Sequence, residues 1–295
     1  MTTIQTPRIA AAEVARTPTL PTGPDETVTG FGVMGLPFAS GHYLALRDFP
    51  AASFLPGSVP GYRSVWHRDP DGAWTFYATT PAEHSCARYF SSATANDAVV
   101  CPVDVTWTGD YTLVVDIPDV LRWTIGLHDT AATRLLTTIG SRLPDGVWTS
   151  PGALGAIGRC AGALLGAGQV RLAGTMPNGQ NFRIAPRRMW AVRSSRAVLD
   201  GRDLGAIAPL PDQAGLGDFR APQRGLAVVR AGELDSAAVD AVLCAVGHGE
   251  HRHHPRPDRL TPREVEVLCL VAKIGASNRI GASMYALRNG LVPQR

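Results

Sequence analysis

Residues 99–127 read VVCPVDVTWTGDYTLVVDIPDVLRWTIGL, and the fold class follows from this stretch. Tyr111, Leu113, Val115 and Ile117 alternate with Thr112, Val114 and Asp116. Neighbouring side chains of a strand point to opposite faces, so a period of two predicts a strand with one buried face. Gly109-Asp110 and Pro118-Asp119 supply turns on either side, which divides the stretch into three strands. Upstream, SVWHRD (Ser64–Asp69) and AWTFYATT (Ala73–Thr80) are aromatic and β-branched, and Pro70-Asp71-Gly72 joins them as a hairpin. Downstream, the period changes. Ala132, Leu135, Leu136 and Ile139 follow helical spacing within Thr130–Leu143, and Pro144-Asp145-Gly146 ends that helix. Pro151–Gly166 reads as a second helix, with Ser150 as its N-cap and Pro151 at its first position. Strands resume in QVRLAGTM and NFRIAPRRMWAV around the turn Pro177-Asn178-Gly179, and RAVLDG reads as a last short strand.

The order strands, two helices, strands predicts an α+β protein. It is mainly antiparallel β, a curled or barrel-like sheet with a helical insertion at 130–167. In architecture alone it resembles the calycin or lipocalin-like barrels, and a β-sandwich would give nearly the same string. The expected organisation is a disordered leader over 1–25, rich in Thr, Pro and Ala, and a β-rich domain over 26–198. A Gly- and Pro-rich linker follows over 199–259, with one short helix near 235–246, and a helical tail occupies 260–293.

Among 295 residues, 45% are hydrophobic and the net charge is +3. That allows a sizeable core and gives no electrostatic argument for nucleic acid. Lys273 is the only lysine. The arginines are scattered, which fits codon usage in a GC-rich genome better than a phosphate-binding surface. The five cysteines are widely spaced, odd in number and without C-x-x-C. This predicts free thiols in a reducing cytoplasm rather than a disulfide frame. The longest apolar stretch, Pro151–Val170, is split by Arg159 and by glycines and makes a poor membrane span.

The tail carries a family resemblance. Thr261, Pro262 and Glu264 form a capping box with proline at N1; Val265, Leu268 and Val271 continue an apolar stripe. LTPREVEVLCLVA (Leu260–Ala272) resembles the opening helix of the LuxR/NarL-type helix-turn-helix unit of bacterial regulators. KIGASNRIGASMYALRNGLVP (Lys273–Pro293) resembles its closing stretch. Upstream, Gly232–His248 is similar to the segment that precedes this unit in regulators with an HD-type hydrolase domain, whose His-Asp metal dyad has no counterpart here. The resemblance implies transcription regulation and dimerisation through 278–291. The scanning and recognition helices that belong between the two pieces are missing, however. Major-groove readout needs a helix whose side chains reach base edges. Arg263, Lys273 and Arg279 would at most touch phosphates, which carry no sequence information. The expected tail is therefore a truncated one that does not read DNA.

Other constellations define the candidate chemistry. Glu83, His84 and Cys86 in EHSCARYF bring a thiol near an imidazole, as a nucleophile–base pair requires; the bland reading is a surface histidine and a buried cysteine. His67 ends a strand at a tight turn, where it could act as an acid or base or be a plain turn residue. His248, His251, His253 and His254 form a histidine tract without a second ordered element to complete a metal site. Gly158, Gly162 and Gly166 recur every four residues; with Arg159 among them they predict a soluble helix packed closely on a sheet, and the stretch lacks the P-loop order that nucleotide binding would need. No metal and no cofactor follow from these patterns. Trp66, Trp74, Phe76, Trp107, Trp123 and Trp190 all fall in or beside predicted strands. They either line a cavity for a small apolar ligand or fill an aromatic core. The leading expectation is thus a β-rich ligand-binding domain. A LuxR-type regulator and a hydrolase-like enzyme using His67 or His84 are the alternatives.

Overall fold

In the computed structural model, residues 5–22, 25–90 and 98–234 are described. The tail at 260–293, the helix expected near 235–246 and the histidine tract lie outside them.

The chain begins inside the expected leader with α1 (Pro7–Arg16). Its start has a local cause that was legible: the Thr6 hydroxyl accepts the Ile9 N–H and Pro7 occupies the first turn. Four antiparallel strands follow as a meander, β1 (Glu26–Pro37), β2 (Tyr43–Ala52), β3 (Tyr62–Arg68) and β4 (Trp74–Ala78). The edge strand β5 (Val99–Val100) pairs parallel with β4. A second meander, β6 (Asp104–Trp107), β7 (Thr112–Ile117) and β8 (Leu121–His128), accounts for the decisive stretch. Within it, the segment 99–109 is not one strand; Val99–Val100 joins the first meander and Asp104–Trp107 the second, with Pro102 between them.

The helical insertion consists of α2 (Ala131–Arg142), α3 (Asp145–Trp148) and α4 (Pro151–Leu165). Thr130 and Thr133 cap α2 reciprocally, Ser150 caps α4, and Gly166 closes α4 in the left-handed conformation. The short β9 (Ala173–Thr175) leads into β10 (Asn181–Leu199). β10 runs straight through what the sequence divides into NFRIAPRRMWAV and RAVLDG. Its first half pairs with a strand to come, its second half with β8. The minor strands β11 (Arg202–Asp203), β12 (Gly215–Leu216) and β13 (Phe219–Arg220) precede β14 (Leu226–Leu234).

β14 lies inside the expected linker, yet it sits mid-sheet, antiparallel to both β1 and β10. The full order is β5-β4-β3-β2-β1-β14-β10-β8-β7-β6, with β9 and β11 attached to β10. A strand covered on both faces shows no alternation, so LAVV flanked by glycines gave no period-two signal. The rest of the expected linker is buried too. Leu204, Leu210, Leu216 and Phe219 are each at most 8% exposed. Gly and Pro richness marks irregular backbone there, not solvent exposure.

The fold is a curled half-barrel, mainly antiparallel. Two cores lie on opposite faces of the sheet. Inside the curl, Phe31, Val33, Leu44, Leu46 and Val65 of the first meander meet Leu113, Val115, Trp123 and Ile125 of the second. The outer face carries Tyr43, Phe49, Trp66, Trp74 and Phe76, covered by Phe90, Leu154, Leu210 and Phe219. Further along that face, α2 and α4 cover β10 and β14 through Leu136, Ala161, Met189 and Val228.

Candidate functional site

The helical layer rests on the sheet at a place where the sheet is irregular. Pro186 lacks an N–H, and the pairing of β10 with β14 slips between Pro186 and Arg188. Just beyond the slip, the Met189 N–H donates to Thr137 Oγ1 of α2 at 3.0 Å. A buried backbone donor is thereby satisfied, and the helix is pinned to the strand. Gly140 of α2 lies against the same strand; a Cβ there would stand 3.0 Å from the Pro186 carbonyl oxygen.

The second helix is held from its other side. A Cβ on Gly158 would come within 2.4 Å of the Val170 carbonyl oxygen, and one on Gly162 within 2.4 Å of that of Gly168. Gly158 and Gly162 therefore serve close backbone approach to the segment 168–172, not packing on the sheet. Toward the sheet α4 presents Ile157, Ala161 and Leu165, and there a space remains unfilled.

That space is an apolar cavity of about 70 Å³. Leu136 and Ile139 of α2, Leu143 at its C-cap, Trp148 of α3 and Ile157, Ala161 and Leu165 of α4 form its roof. Met34, Ile184, Met189 and Val228 of the sheet form its floor. Val170, Arg171 and Leu172 border it on one side and border an open groove of about 850 Å³ on the other, together with Gly155, Arg159 and Gln169. Arg171 is tied to Asp218 at 2.8 Å, and Arg220 donates to the Gly217 carbonyl at 2.8 Å.

The six aromatics considered from sequence are placed elsewhere, and none of them lines this cavity. Trp66 meets Phe76 and Phe90 edge to face with centroids 5.1 and 4.8 Å apart, and Trp74 stacks on Phe76. Trp123 and Trp190 are buried inside the curl, where Trp107 meets Phe31 edge to face. Sequence position identified them as strand residues; which side of the sheet each faces, and what meets it there, depends on partners distant in the chain. The residues around the cavity gave little signal because their types are ordinary. Only the run of small residues in α4 pointed toward an underfilled layer.

His67 is brought to a second constellation, inside the curl. His67 and Leu44 are directly opposed, and Leu44 faces that core. His67 Nε2 lies 2.8 Å from His42 Nδ1, and the two rings stack with centroids 5.1 Å apart. One ring must donate and the other accept, which two imidazolium ions cannot do. Burial first, and the neighbouring His42 second, push the His67 pKa down to about 4 against the partial support of Asp69 and Asp200. His67 is thus a neutral imidazole at physiological pH. Tyr77, on the adjacent strand, has its hydroxyl pKa raised by burial and by Asp200.

His84 and Cys86 do not share a strand face. They lie on successive 3₁₀ turns, Ala82–His84 and Cys86–Tyr89. The Tyr62 hydroxyl stands 2.9 Å from Cys86 Sγ and accepts the Cys86 N–H at 3.1 Å. His84 Nδ1 is buried without a hydrogen-bond partner. Arg47, which no sequence motif singled out, is fully buried on the outer face. Its Nη1 donates to the carbonyls of Val33 and Leu46 at 2.9 Å each, and its guanidinium lies 4.3 Å over the Trp66 ring.

The fold and site define a class: a curled β half-barrel with a helix-roofed apolar cavity on its convex side. Comparison of the chain with protein-family models, with curated proteins and with solved structures finds no match. Among the described residues there is no cluster of three metal-ligating side chains, and no helix is long and apolar enough to cross a membrane. Arg263, Lys273 and Arg279 lie outside the described residues.

Proposed function

We propose that this domain binds a small apolar ligand in the cavity between the helical insertion and the sheet. The cavity itself carries the reading. Its walls are aliphatic and aromatic, it sits between elements rather than within one, and well-packed interiors leave few such voids. Its size favours a slim molecule, since a cavity of about 150 Å³ in another protein suffices for benzene. At about 70 Å³ the space suits a chain of about three carbons and not a fused ring. Calorimetry with short alkanes and a panel of apolar dyes tests this. Saturable binding with a concentration-dependent rise in melting temperature is expected; a flat response across the panel would refute it. Ala161→Leu, which fills the space from α4, is expected to weaken binding at least tenfold.

A second reading rests on the His42–His67 pair. Two hydrogen-bonded imidazoles can relay a proton; with its pKa lowered to about 4, His67 is a weak base at neutral pH, and the relay would work best under mildly acidic conditions. Under this reading the domain is a hydrolase-like enzyme. A turnover found in an ester panel should then be lost in both His67→Gln and His42→Gln, and survival in either variant would remove the pair from the chemistry.

For the tail, the proposal is that a truncated LuxR-type unit does not select an operator. A sequence-selective mobility shift with the purified full chain, persisting at physiological salt, would overturn it.

A further inference from the structure

Trp148 is 6% exposed, and its indole Nε1 is buried with no hydrogen-bond partner among the described residues. Buried indole N–H groups are normally paired, because an unpaired donor sealed from water forfeits its hydration. Here the orphan belongs to a residue of the cavity wall. An N–H donor calls for an oxygen acceptor rather than a second donor.

Resting on the cavity reading above, we infer that the ligand carries a neutral carbonyl oxygen, received by the Trp148 indole N–H. The class is a short aliphatic ketone, aldehyde or ester. A carboxylate is the poorer fit. Its charge would enter an apolar space with one neutral donor to meet it, and buried charge needs more than that. The Arg171 head group is already paired with Asp218. A plain alkane fills the volume but leaves the indole unpaired.

The test compares propane, acetone and acetate, which suit a space of about 70 Å³, on the full-length protein and on Trp148→Phe, which keeps an aromatic wall and removes the donor. In the wild-type protein acetone is expected to bind about five- to tenfold more tightly than propane once their different hydration is taken from the Trp148→Phe ratio. Acetate should bind most weakly. A second readout needs no variant: one indole N–H resonance should move downfield with acetone and stay in place with propane. If propane binds and the ketone preference is the same in both proteins, with no indole resonance shifted, the carbonyl inference fails while the cavity reading survives. If acetate binds best, the head group is a carboxylate and the inference is overturned. If none of the three binds, both readings fall.

Discussion

The inside of the curl and the space beneath α2 and α4 are both apolar, yet they are filled differently. Inside the curl, two meanders face one another. Strand side chains project nearly perpendicular to the sheet, and β-branched and aromatic groups from the two sides interdigitate. Trp123 is 0% exposed there, with its Nε1 donating to Ser195 Oγ at 2.8 Å. Under the helices the arrangement is reversed. Gly158 and Gly162 draw α4 against the backbone of 168–172, while Ile157, Ala161 and Leu165 on its cavity side do not reach far enough to fill the space above the sheet. The satisfied indole of Trp123 and the unpartnered one of Trp148 mark the same contrast in polar terms. The difference teaches that hydrophobicity alone does not distinguish a core from a site; the supply of side-chain volume and of hydrogen-bond acceptors does.

The contrast can be broken most forcefully from the filled side. Trp123→Ala should lower stability by about 3–5 kcal/mol, as large-to-small changes in tight cores do. Urea unfolding measures it, and a loss below about 1 kcal/mol would mean that the curl is as loosely packed as the helical layer.

The next effect is one of pH and also belongs to the curl. In the fold His67 stays neutral down to about pH 4, against 6.5 for a free imidazole. Between those values the unfolded chain binds the proton and the folded one does not. Stability is therefore fully present above pH 6.5 and is lost as pH falls toward 4, on the order of 2–3 kcal/mol from this group. His67→Gln removes the titration. The difference between the two pH profiles should be confined to that window, and coincident profiles would place His67 in water rather than in the core.

Gly162→Ala probes the helical side. A mid-helix Gly→Ala change ordinarily adds about 1 kcal/mol, but here the new methyl meets the Gly168 carbonyl oxygen at 2.4 Å. A net loss of about 1–3 kcal/mol is expected, read from the shift in the denaturation midpoint. Gly155, whose Cβ would come no nearer than 3.8 Å to the Arg159 guanidinium, should take Ala without loss and serves as the control. The smallest change in stability should come from Ala161→Leu. Added volume enters empty space, so the folded state should stay within about 1.5 kcal/mol of wild type or gain. A larger loss would show that the cavity is closed to side chains.

Local pattern carried much of this architecture. The alternation in Tyr111–Ile117 and the Pro70-Asp71-Gly72 turn gave strands and a hairpin where β7, β3 and β4 stand. Ser150-Pro151 and Gly166 gave both ends of α4. The first two strands gave no expectation, because β1 is buried almost throughout and has no period to read. β14 was hidden for the same reason, in a Gly- and Pro-rich context that spoke for a linker. The candidate site was less legible still. His67 was noticed as a turn-proximal histidine, but its partner His42 comes from just before the neighbouring strand β2, which the sequence did not reveal, and shares no motif with it. The cavity has no motif at all, being a volume left between elements.

The sequence by itself determined the central hairpin and meander, the two longer helices of the insertion with their caps, and the curled antiparallel class. Each of these depends on backbone conformation and on side-chain period within a few residues. Only the tertiary structure decided that β14 joins the two meanders, that the aromatics pack tightly, and that an empty apolar space lies beneath α4 with an unpaired indole in its wall. Those features depend on which distant surfaces meet and how well their volumes match, and no local stretch of chain encodes a volume that it shares with another.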